Sequence, residues 1–168
     1  MTIGVLFVCT ANICRSPMAE GVFRALADKA GLGAAFSIAS AGTTGIHAGE
    51  PPTSAAIEAA ARRGYDIAAQ RSHPVSKEDI GAADHVLAMD RGHVADLRWM
   101  APRDKIDRIQ LLTRFGPMPS ITDIQDPYGG TPQDYERALD LIEASCKGLL
   151  AALADEATAK ARSLRTAT

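Results

Sequence analysis

Apolar residues open the chain as one short β-prone run, Ile3-Gly-Val-Leu-Phe-Val8, which predicts a strand buried on both faces. After residues 9–16 the spacing becomes helical. Met18, Val22, Ala25 and Leu26 share a face, Pro17 suits a first turn with Ser16 as N-cap, and Gly31 supplies a stop. Residues 36–39 read as a second strand that ends in the loop 40–52. Thr53 is placed to cap a helix running to Arg63 and closed by Gly64. Residues 85–89 predict a third strand, 91–100 a helix and 108–112 a fourth strand. In the last helix, 132–153, Tyr135, Leu139, Ile142, Cys146, Leu149, Leu150 and Leu153 form an apolar stripe.

Strands alternating with helices predict an α/β domain: a four-stranded parallel sheet with helices on both faces and right-handed crossovers. One domain over residues 1–154 is expected, with 155–168 a frayed tail. Residues 113–131 are rich in Pro and Gly and lack periodicity, and a loop of that length is functional or disordered.

Composition narrows the function classes. The formal charge of −2 gives no basic field for nucleic acid or an anionic membrane, and no apolar run is long enough to span a bilayer. No basic segment precedes the first apolar run, so no signal peptide is expected. Three cysteines, Cys9, Cys14 and Cys146, suit neither a disulfide framework nor a zinc site, so a reduced cytoplasmic protein without metal is expected. Cys146 and Trp99 read as packing residues, Arg62 and Arg63 as a solvated face, and His47 as a solvated loop histidine.

The chemistry gathers where the first strand ends. Ligands of open parallel sheets bind outside the carboxyl ends of the strands, and Cys9 stands at that edge. The following turn, Thr10, Ala11, Asn12, Ile13 and Cys14, leads into a helix N-terminus, whose amides and dipole favour an anion. Arg15 closes the loop with a fork able to bind two phosphate oxygens, and Ser16 adds a hydroxyl. The same field favours a Cys9 thiolate, at the floor of a cradle for a tetrahedral oxyanion.

The segment Val5-Leu-Phe-Val-Cys-Thr-Ala-Asn-Ile-Cys-Arg-Ser-Pro-Met-Ala-Glu20 resembles the signature of the low-molecular-weight protein tyrosine phosphatases. The resemblance continues through Ser40-Ala-Gly-Thr43, Gly49-Glu-Pro-Pro52, Lys77-Glu-Asp79, Met89-Asp90, Asp126-Pro-Tyr-Gly129 and the final helix, covering residues 3–153. It implies Cys9 as nucleophile, Arg15 as transition-state clamp and Asp126 as general acid, with no metal and no cofactor. Asn12, Ser16 and Ser40 match the network that holds the phosphate loop, while Thr10, Ile46 and Tyr128 match the pocket wall. The residues alone leave Asp123 and Asp126 equally placed as the acid. The implied partner is a phosphotyrosine protein, a tyrosine kinase among the candidates, and the expected state is a monomer or weak dimer. Cys14, five residues from Cys9, is the candidate for a reversible protective disulfide.

Several positions depart from the family pattern. Ala11 replaces a usual glycine, which is harmless only at negative φ. Thr53 and Ala55 stand where aspartate and arginine are common, Gln70 near a common histidine, and Ile46 where an aromatic is common. Ile13 resembles the tyrosine-directed members, whereas those acting on phosphoarginine carry threonine there. Phosphoarginine hydrolysis and a phosphate-binding interaction module are the alternatives. An arsenate reductase would need further cysteines that the 70–100 region lacks.

Overall fold

The computed structural model describes residues 1–118 and 120–167. Four parallel strands, β1 (Ile3–Cys9), β2 (Phe36–Gly42), β3 (His85–Ala88) and β4 (Ile109–Leu111), lie in the order β2-β1-β3-β4. The expected parallel α/β sheet is therefore the observed one. Its order places β1, which ends in Cys9, at the centre, paired with β2 as far as Cys9↔Gly42. Helices α1 (Arg15–Lys29), α2 (Ser54–Arg62), α3 (Lys77–Ala82), α4 (Arg91–Met100) and α5 (Pro132–Thr166) flank the sheet.

Two apolar layers cover its faces. One joins Ile3, Val5 and Phe7 to Met18, Val22 and Phe23 of α1 and to Leu139, Ile142, Cys146 and Leu149 of α5. Phe7, Phe23 and Phe36 stack here, with successive ring centroids 5.7 and 5.1 Å apart. The other layer joins Leu6, Val8 and Val86 to Ile80 of α3 and Leu97 of α4. Alternation along β1 sends odd residues to the first layer and even residues to the second.

Four local expectations change. Helix α1 begins at Arg15 with Cys14 as its N-cap, not with Ser16, whose hydroxyl is engaged by the loop before it. Residues 155–166 are helical rather than frayed, because Leu153, Ala157 and Ala161 extend the buried stripe at i+4 spacing through an alanine-rich segment; Thr168 lies outside the described residues. Trp99 is 91% exposed instead of packed. Arg63 is no solvated residue: α5 presents Glu136, Asp140 and Glu143 on one face, and all three pair with it at 2.6–3.3 Å. Helix α3 was not expected, although Ser76 and Asp79 form a complete capping box at its start. Thr53 caps α2 as expected, accepting from the Ala56 amide. Among the described residues no helix is long and apolar enough to cross a membrane.

Candidate active site

The turn after β1 is held by its carbonyls. Cys9 O accepts from Thr43 N, Thr10 O from Thr44 N and Ile13 O from Thr53 N, each at 2.9 Å, and Ala11 O accepts from Ser72 Oγ at 2.7 Å. With the carbonyls bound outward, the N–H groups of residues 10–14 donate to nothing else among the described residues. A row of unclaimed amides at a helix N-terminus is an anion cradle. The backbones pack closely here: a Cβ on Gly42 would stand 2.7 Å from Thr10 O and 2.9 Å from Thr44 O.

Asn12 makes the turn possible. At φ 56° it is the one described non-glycine residue in the left-handed region, a conformation asparagine tolerates. Ala11 keeps out of that region, so its methyl is accommodated. Asn12 Nδ2 donates to Ser16 Oγ (2.8 Å) and Ser40 Oγ (3.0 Å), and its Oδ1 accepts from His73 N (3.2 Å). Ser40 in turn donates to Glu20 Oε2 at 2.6 Å, with Gln70 Oε1 at 3.5 Å. Cys9 Sγ lies 3.0 Å from Ser16 Oγ, close enough for the hydroxyl to donate to a thiolate.

Arg15 is buried. Its Nη1 donates to Asp90 Oδ2 at 3.0 Å and to Ile124 O at 2.8 Å. Its Nη2 lies 3.4 Å from Thr10 Oγ1 and 3.6 Å from Asp126 Oδ2, and its Nε has no partner among the described residues. Nη1 is thus committed to the protein, while the Nε–Nη2 edge retains donors for a bidentate oxyanion.

Asp126 arrives from the long loop after β4. That loop is fastened through buried Ile124, whose amide donates to Met89 O at 2.9 Å. Asp126 accepts from Tyr128 N at 3.2 Å, and its side chain is 51% exposed. The geometry separates it from Asp123, whose carboxylate is bound in fork fashion by Arg91 at 3.1–3.3 Å. Those hydrogen bonds hold the Asp123 carboxyl below its ordinary range, which suits an anchor and not a proton donor. Cys9, Thr10, Ala11, Ile13, Cys14, Arg15, Ile46, His47, Asp126 and Tyr128 line one cavity of about 150 Å³. His47 is therefore a wall residue; its ring centroid is 6.4 Å from that of Tyr128, and Glu50 holds its Nδ1 at 2.7 Å.

Cys14 differs from Cys9 in its surroundings. Its sulfur lies 3.5 Å from both Thr53 Oγ1 and Tyr135 Oη, and burial pushes its pKa up. The buried Tyr135 phenol is likewise pushed up to about 12, chiefly by desolvation. Cys146 is wholly buried in the core. Among the described residues no group of three His, Cys, Asp or Glu side chains could hold a metal ion. Two partners at the site escaped the sequence reading: Asp90, quoted only as part of a motif, and His93, whose Nε2 lies 2.8 Å from Thr10 Oγ1. Burial pushes the His93 pKa down, against the pull of Asp90.

Comparison with known proteins shows the family of the chain. Residues 4–159 match the family model for low molecular weight phosphotyrosine protein phosphatase. A low molecular weight protein-tyrosine-phosphatase of Streptomyces coelicolor is 40% identical over 166 residues, covering 96% of this chain and 99% of its own. The crystal structure of a protein tyrosine phosphatase from Entamoeba histolytica superposes with a TM-score of 0.88 at 30% identity, over 92% of this chain and 99% of its own. The arginine phosphatase YwlE of Bacillus subtilis gives 0.78 at 29% identity, over 90% and 95%.

Proposed function

Since this chain belongs to the low molecular weight phosphotyrosine protein phosphatases, a family of phosphomonoester hydrolases, we propose that it hydrolyses protein phosphotyrosine through a phosphocysteine on Cys9. The observation that carries this reading is the convergence of Cys9, Arg15 and Asp126, from two loops about 110 residues apart, on one cavity.

The Cys9 thiolate attacks phosphorus while the bond to the tyrosyl oxygen breaks. The loop amides and the Nε–Nη2 edge of Arg15 take the equatorial oxygens, where negative charge is held in the transition state. Asp126, as the carboxylic acid, gives its proton to the departing phenolate. Its carboxylate then takes a proton from water as that water attacks phosphorus, releasing inorganic phosphate and the thiolate. Asn12, Ser16 and Ser40 keep the loop in register, and Thr10, Ile46 and Tyr128 shape the mouth. Cys14, five residues after Cys9 and lining the same cavity, is the candidate resolving thiol if Cys9 is oxidised.

Ile13 favours tyrosine over arginine as the phosphate carrier, whereas the fold shared with YwlE keeps phosphoarginine as the second reading. The deciding measurement is phosphate release from a phosphotyrosine peptide beside a phosphoarginine peptide, with wild type and Cys9→Ser. Tyrosine turnover abolished by the substitution is expected. Preference for phosphoarginine would transfer the reading to that substrate. Tight phosphate binding without turnover on either would leave a binding module.

A further inference from the structure

Four side chains close a ring at the cavity, two of them, Thr10 and Arg15, lining it. Arg15 Nη1 donates to Asp90 Oδ2 at 3.0 Å, and Asp90 Oδ1 lies 3.2 Å from His93 Nδ1. His93 Nε2 lies 2.8 Å from Thr10 Oγ1, which lies 3.4 Å from Arg15 Nη2. Building on the phosphatase reading, we propose that His93 is a positioning residue for that reaction: through Thr10 and Asp90 it sets the orientation of the Arg15 guanidinium before substrate arrives.

The protons of the ring can be placed by elimination. Arg15 Nη2 only donates, so it takes a lone pair of Thr10 Oγ1. His93 Nδ1 is buried and has no aligned hydrogen bond; its nearest acidic oxygen is that of Asp90. A bare lone pair there would face a carboxylate, so the proton belongs on Nδ1. Nε2 then accepts the Thr10 O–H, so Thr10 accepts from Arg15 and donates to His93. Burial keeps the imidazole neutral, the form able to accept, with Asp90, Asp96 and Asp126 opposing and Arg15 assisting. Without the Thr10 hydroxyl, Nη2 keeps one other hydrogen-bond or ion-pair neighbour among the described residues, Asp126, whose side chain is half exposed. A histidine that merely filled space would be replaceable by shape, whereas this one meets Thr10 Oγ1 through Nε2 and faces Asp90 Oδ1 through Nδ1.

The test compares wild type, His93→Phe, His93→Gln, Thr10→Val and the His93→Phe/Thr10→Val double variant. Readouts are kcat and KM on a phosphotyrosine peptide, inhibition by orthovanadate, and the imidazole 15N shifts. His93→Phe should lower kcat about 10-fold or more with KM within about 3-fold, and weaken orthovanadate in proportion. His93→Gln, which keeps an acceptor for Thr10, should recover most of the rate. Thr10→Val should match His93→Phe, and the double variant should be no worse than either. The 15N shifts should report the neutral Nδ1–H tautomer. Unchanged kcat in His93→Phe, additive losses in the double variant, or the Nε2–H tautomer would each overturn the proposal. Thr10 is exposed, so if His93→Phe fails to fold, full kcat in Thr10→Val overturns it instead. A wild type inert toward phosphotyrosine would sink the functional reading alone, because orthovanadate affinity and the tautomer still test the ring.

Discussion

Residues 9–16 anchor four of their carbonyls on other segments and bury Asn12, Arg15 and Ser16, whereas the loop that carries Asp126 is pinned at Ile124 and leaves its carboxylate half exposed. The contrast fits the two tasks proposed for these loops. A cradle lowers a barrier only if its donors already stand where charge is held in the transition state. An acid must serve a leaving group first and a water molecule afterwards, so it is better held loosely beside the cradle than built into it.

Substitutions should grade this contrast. Cys9→Ser should abolish turnover while leaving phosphate binding, measurable by calorimetry; residual steady-state turnover would remove the covalent step. Arg15→Lys loses the fork and should cost about 10²–10³ in kcat, and a loss confined to KM would contradict its place in the transition state. Asp126→Asn should lower kcat about 10²-fold, whereas Asp123→Asn should stay within a few-fold; the reverse order would exchange acid and anchor. Leaving groups of low pKa should rescue Asp126→Asn and not Arg15→Lys. On the buried side, Asn12→Ala should destabilise by about 1–3 kcal/mol in urea titrations, since it strands buried partners in a left-handed turn.

The smallest effect concerns pH. The folded-state pKa of His93 is lowered, so below its unfolded value, about 6.5, the unfolded chain binds the extra proton. Stability should therefore fall as pH drops from about 7 toward 5. Melting temperatures of wild type and His93→Gln should converge over that range, and parallel curves would exclude His93 as the source.

What the sequence made legible was whatever lies close together along it. Cys9, Arg15 and Ser16 fit in eight consecutive residues, with a strand before and a helix after, so their common site could be read directly. The start of α1 could not, because Ser16 reads equally as a cap and as a buried hydroxyl. The residues alone left Asp126 and Asp123 level, and only the family resemblance chose between them; the physical difference, the Arg91 fork on Asp123, lies 32 residues away in the chain. Asp90 and His93 join the site only when β3 lies beside β1, and no local pattern encodes that pairing. Helix α3, at six residues, is too short to show periodicity, although its capping box was present in the letters. The continuation of α5 rested on small alanines, which look like surface until a neighbour covers them.

The reach of those contacts bears on how the protein is made. Arg15 is fixed by Asp90, 75 residues later, and by the Ile124 carbonyl, 109 residues later. Each contact closes a long loop, and such contacts form only when most of the chain is available. A ribosome releasing this polypeptide therefore exposes the Cys9 loop long before its guanidinium is secured, and the site assembles only after β3, β4 and the acid loop have emerged and docked.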